Sequence, residues 1–233
     1  MAPQPGRLHF IAKFLIGILL LPVCAALAGS LYGLLDGLAV ENWREMEPNT
    51  LGLLVGFFLW IIVYLAMPRP VWSYVLAHEL THALWGAAMG AQIKGIKVTG
   101  TGGHVKLTRT NMWITLAPYF FPLYTVIVLL LYLFASRMWD MTPYQPVWLG
   151  WVGLTWGFHA TFTGSILRIR QPDIHEHGRL FSYVIIFIFN VLGLCIGVTL
   201  LTDTSWAGWL DDVYNRTLEA YAWVGDRFAR IPR

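Results

Sequence analysis

Apolar runs long enough to cross a bilayer recur along this chain, and they limit what it can fold into. A spanning helix needs about 20 mostly apolar residues. Such runs extend from Phe10 to Leu35, Leu51 to Met67, Val71 to Met89, Trp113 to Ala135, Val147 to Leu167 and Leu180 to Leu201. Lipid offers no hydrogen bonds to a backbone, so runs of this kind close their own as helices. The expectation is an all-α polytopic membrane protein with about six transmembrane helices, forming a single integral membrane domain over residues 1–204. Composition agrees: 57% of the residues are hydrophobic and 12% charged, against about 25% charged in soluble domains. The chain also carries 12 Trp and 10 Tyr, rings that favour the membrane–water interface.

Three segments depart from the helical pattern. Near the N-terminus, Arg7 and Lys13 precede an apolar core, and Ala26-Leu27-Ala28 has the form of a signal-peptidase site. The apolar run continues to Leu38, which favours an uncleaved helix. Between the third and fourth runs, Gln92 to Val98 and His104 to Thr108 alternate polar and apolar residues around Gly100-Thr101-Gly102-Gly103, the pattern of a small β-hairpin. The tail, residues 205–233, places Trp206, Trp209, Leu210, Val213, Tyr214, Leu218 and Tyr221 at helical spacing with charges between them. That is a C-terminal amphipathic helix, suited to the membrane surface or to a partner protein.

The net charge of +3 is spread over short loops, which excludes nucleic acid as a partner and leaves the lipid bilayer and membrane-borne proteins or peptides. The basic residues divide evenly between the two faces of a six-span layout, so the positive-inside rule does not orient it. Cys24 and Cys195 lie inside apolar runs, where a thiol behaves as a small hydrophobe.

The chemistry concentrates in His78-Glu79-Leu80-Thr81-His82. Two histidines four residues apart share one helix face, one turn apart. They can bind a zinc ion while the glutamate reaches a water at the metal's open position and takes its proton. The flanking residues, Val75-Leu76-Ala77 and Ala83-Leu84-Trp85, are apolar. Titratable groups in a membrane helix need a compensating partner, since each costs at least about 2.5 kcal/mol there, and a metal ion is such a partner.

A catalytic zinc has three protein ligands. Asp173, in Gln171-Pro172-Asp173 with a proline fixing the backbone, is the first candidate; a helix cap or a solvated loop charge is its alternative. His159, inside the fifth run, could ligate, donate a hydrogen bond to a developing oxyanion, or be a core histidine. Glu176, between His175 and His177, is a further candidate ligand in what otherwise reads as a solvated turn. The glycines at 100, 102 and 103 lack the lysine and helix start of a phosphate loop.

With these residues in view, the chain resembles the site-2 protease family of intramembrane zinc metalloproteases. The resemblance rests on His78-Glu79-Leu80-Thr81-His82 in an apolar helix, on Ala87, Ala88 and Gly90 after it, on the hairpin, on Ala117-Pro118 opening a hydrophobic segment, and on a later aspartate. It covers about half the chain, from Val71 to Leu180. It implies an intramembrane endopeptidase with His78, His82 and Asp173 on zinc and Glu79 as general base. The chain departs from the family pattern at Thr81, where glycine is common, and at Asp173-Ile174, which lacks the glycine that usually follows. A bacterial inner membrane fits the compact loops. Two other classes share some features: a divalent-metal transporter, although the other runs are poor in carboxylates, and a catalytically inactive scaffold, although Glu79 is intact. A histidine-box oxidase would need more histidine clusters.

Overall fold

The computed structural model describes residues 7–37, 46–100, 102–201 and 204–230, and the side chains of residues 7 and 9 fall outside that description. Leu38, Thr101 and the last three residues of the tail therefore lie outside the described residues. The protein is 77% helical with one two-stranded antiparallel sheet. The chain divides into two compact units, Met1–Glu41 with Pro172–Arg233, and Asn42–Gln171.

The first unit contains α1 (Arg7–Leu19), α2 (Leu21–Asp36), α8 (Pro172–His177), α9 (Arg179–Leu201) and α10 (Trp206–Ala229). Leu27 of α2, Val191 and Cys195 of α9 and Trp209 of α10 form one buried cluster, and both cysteines are free thiols. The expected amphipathic tail is present as α10, whose start is capped by the Ser205 hydroxyl accepting from the Gly208 amide at 3.0 Å. Part of its apolar face is used inside the unit. Trp209 is buried and the Tyr221 hydroxyl donates to the Leu19 carbonyl at 2.6 Å, whereas Leu210, Tyr214 and Leu218 stay exposed. Arg216 lies over Gly29 of α2, with Asp212 accepting from its Nε at 2.8 Å.

The second unit contains α3 (Pro48–Ala66), α4 (Val71–Ala88), β1 (Ile93–Val98), β2 (Gly103–Leu107), α5 (Met112–Leu116), α6 (Leu123–Ala135) and α7 (Gln145–Ile166). Its frame is the α3–α7 pair. A Cβ added at Gly52 or Gly56 would overlap the carbonyl oxygen of Pro146 or Gly150, and one added at Gly153 would overlap that of Leu53. The two backbones thus touch. In lipid there is no hydrophobic drive between helices, and small residues that allow close approach take its place. Beyond the contact, Trp60 packs with Phe158 and Phe162, and Tyr74 of α4 stacks on Phe162.

Helix α4 ends at a Schellman motif. Gly90 takes φ +76°, the Gly90 amide donates to Ala87 at 2.9 Å and the Ala91 amide to Gly86 at 2.8 Å. Glycine is favoured there because a Cβ is strained at positive φ. The chain then enters the expected hairpin, in which Ile93 pairs with Leu107, a bulge follows, and Val98 pairs with Gly103.

The six-span expectation requires correction. Among the described residues, three helical stretches are long and apolar enough to span a membrane: Phe10–Asp36, Pro48–Ala66 and Arg179–Leu201. A fourth span is possible if Met112–Tyr119 and Leu123–Ala135, bent by 82° to one another, count as one. Pro118 and Pro122 explain the bend, since neither supplies an amide to a continuous helix. Helices α4 and α7 have 18 and 22 residues, so composition rather than length excludes them: α4 carries His78, Glu79 and His82, and α7 carries Gln145, His159 and several glycines. The even division of basic residues loses its basis with the six-span layout.

The α3–α7 contact predicts that Gly56→Ala, which must push two backbones apart, lowers stability by about 2 kcal/mol or more. Gly193→Ala on α9, with nothing within 4 Å of an added Cβ, should be neutral or stabilising. Thermal unfolding of both variants in detergent checks the pair.

Candidate metal centre

His78 and His82 lie on consecutive turns of α4, both half-buried. Their Nε2 atoms are 3.2 Å apart. Two nitrogens on one tetrahedral zinc, each about 2.0–2.1 Å from it, are separated by about 3.3 Å, so this pair already has the spacing of a shared ion. The inner nitrogens are held from behind. His82 Nδ1 donates to the Ile114 carbonyl at 2.8 Å, which fixes its tautomer and leaves Nε2 as the lone-pair atom. His78 Nδ1 lies 3.3 Å from the Tyr74 hydroxyl, a group that can accept from the ring or donate to it. Anchoring of the non-ligating nitrogen is the usual setting of a metal-bound histidine.

The acceptor for His82 has a local cause. Asn111 caps α5, its side chain accepting from the Trp113 and Ile114 amides at 3.0 Å each. The amide that would close the helical bond to the Ile114 carbonyl belongs to residue 118, which is proline and has no N–H. The carbonyl therefore remains available to the imidazole. Tyr119, fully buried, meets the His78 ring edge-to-face at 5.3 Å between centroids.

His78, His82 and Asp173 form a group that could hold a metal ion. Asp173 sits in the first turn of α8. That short helix is fastened by the Ser182 hydroxyl, which donates to the Ile174 carbonyl at 3.1 Å, and by Lys13, whose ammonium lies 2.6 Å from His177 Nδ1. Among the described residues, His159 and Glu176 do not join the group. Glu176 is exposed, 4.0 Å from His177 Nε2. His159 is buried on α7 and lines, with His78, Thr155 and Tyr124, a cavity of about 20 Å³, enough for one water. His104 is exposed on β2.

Glu79 is buried, and the hairpin rests against it. A Cβ added at Gly103 would lie 2.7 Å from Glu79 Cγ and 2.9 Å from its Oε1. Leu107 docks the other end of β2 into the space left by Gly86, where an added Cβ would meet it at 2.9 Å. Glycine at 103 therefore lets the strand approach the carboxylate. Thr81 is fully buried, its hydroxyl donating to the Ala77 carbonyl at 2.7 Å, so α4 accommodates it without an unmet polar group. The sequence reading missed Tyr74, the Ile114 carbonyl, Gly103 and the Lys13–His177 contact. Two of these had a signal: Tyr74 is one helical turn before His78, and Pro118 is four residues after Ile114.

A metal-content measurement on dialysed, detergent-purified protein checks the group. The wild type should hold about one ion per chain, His78→Ala and Asp173→Ala should hold none, and Tyr74→Phe should bind it about ten- to a hundredfold more weakly.

No protein-family model matches the chain, and no curated protein or solved structure matches it either.

Proposed function

We propose that this protein is a zinc-dependent intramembrane endopeptidase, a divergent relative of the site-2 proteases, acting on membrane-embedded or membrane-adjacent peptides. The observation that carries the reading is the convergence of the His78 and His82 Nε2 atoms, each imidazole anchored through Nδ1, beside a buried glutamate. The donor set of two imidazoles and one carboxylate fits zinc with an open position. A bacterial inner membrane is the proposed setting, on the strength of the compact loops.

In this reading His78, His82 and Asp173 would hold the ion, which when bound would polarise the scissile carbonyl. Glu79 takes a proton from the attacking water as its oxygen bonds to the carbonyl carbon, and later gives that proton to the leaving amine as the C–N bond breaks. Gly103 and Gly86 set how closely the hairpin approaches Glu79, and the small cavity beside His159 suits that ring to donate to the developing oxyanion. A substrate helix has to unwind to present a carbonyl. The exposed strand β1 offers an edge for the freed backbone to pair with.

The test is Glu79→Gln, purified and loaded with one zinc, assayed on unfolded casein and fluorogenic peptides in detergent. The variant should keep its zinc and lose at least about a hundredfold in rate. Activity equal to that of the wild type would remove Glu79 from its role. An inert wild type that instead moves zinc across vesicle membranes would make the protein a transporter.

A further inference from the structure

The α6–α7 end of the second unit carries a feature that the hydrolytic reading does not use. Residues 136–144 connect the two helices and contain Arg137, Trp139, Asp140 and Tyr144. With Trp148 and Trp151 of α7, these aromatic residues and Asp140 line a groove of about 830 Å³. The groove continues along the helices past Val128 and Leu131 of α6 and Val147 of α7. Leu131, Trp139, Tyr144, Val147 and Trp151 are all more than half exposed. The loop end is thus aromatic with a carboxylate, and the residues that α6 contributes are aliphatic.

That graded lining matches a particular kind of molecule. Indole faces attract an ammonium group, most strongly when a carboxylate is adjacent, and quaternary ammonium ions are recognised in this way. Asp140 is the carboxylate here. The Thr142 amide donates to its Oδ1 at 3.0 Å, and Thr142 holds the carboxyl below the usual range, so the charge persists into mildly acidic conditions. Arg137, exposed in the same connection, adds a cation of the kind that pairs with phosphate. Trp and Tyr favour the headgroup level of a bilayer, and the aliphatic side of the groove lies on α6, the longer half of the bent candidate span.

We propose that this groove is a binding site for a zwitterionic phospholipid, its ammonium headgroup held by Asp140 with Trp139, Trp148 and Tyr144, and one acyl chain lying along α6 and α7. The site is separate from the histidines of α4 and stands whether or not the protein hydrolyses peptides.

The full chain, equilibrated in mixed micelles with equal amounts of palmitoyl-oleoyl phosphatidylethanolamine, phosphatidylcholine and phosphatidylglycerol, tests it by native mass spectrometry of the retained lipid. The wild type should retain an ammonium lipid over phosphatidylglycerol by about three- to tenfold. Asp140→Asn should abolish the preference, Asp140→Glu should keep it, and Trp139→Leu should weaken it. Equal retention of the three lipids by the wild type, or an unchanged preference in Asp140→Asn, would overturn the proposal and leave an unselective aromatic belt.

Discussion

The candidate centre depends on where the inner nitrogens of two histidines point. A histidine pair one turn apart can face a common ion only if each ring is turned outward and kept there. Here a tyrosine hydroxyl holds one ring and a main-chain carbonyl the other. Much of the surrounding structure serves those two anchors. Tyr74 is fixed by stacking on Phe162, which belongs to the cluster built on the α3–α7 pair. Ile114 is fixed by the Asn111 cap and by the proline that follows. The glycine contacts of α3 and α7, remote in sequence from the motif, thus bear on the angle of a single imidazole.

The same dependence explains why the membrane pattern is uneven. Helices α3 and α9 are apolar enough to face lipid, whereas α4 and α7 carry the histidines and the glutamate. A helix that bears titratable groups is expensive to expose to hydrocarbon. Close backbone contact fits that requirement in α7: Gly153 and Gly157 are buried against α3.

Local signals in the sequence were read well, and long-range ones were not. The motif helix, its stop at Gly90, the hairpin and the tail helix each follow from a few neighbouring residues, and each appears with boundaries close to those expected. The span count differs because a run can be mostly apolar and still carry enough polar residues to fall short of the hydropathy of a span. Both α4 and α7 contain enough Val, Leu, Phe and Trp to look like spans, while their His, Gln and Gly residues bring the mean hydropathy below that of a span. The bend at Phe120–Pro122 was legible in its prolines, yet the run from Trp113 to Ala135 was read as one segment. Asp173 was legible as a carboxylate after a proline, and the sequence already offered it as the first candidate for a third ligand beside His78 and His82. Gly103 read simply as a turn residue, because nothing local reveals that a carboxylate sits where its side chain would be.

A proline is usually discussed for what it does to its own helix. Pro118 acts instead through a vacancy: by withholding a proton from the Ile114 carbonyl, it leaves that oxygen to the imidazole of His82. Any other residue at 118 would supply a competing donor, and the ring could lose its anchor to the helix. The second histidine of the motif and this proline are therefore coupled through one shared oxygen, a dependence that would show in related chains as covariation between positions 82 and 118 rather than as any contact between the two side chains.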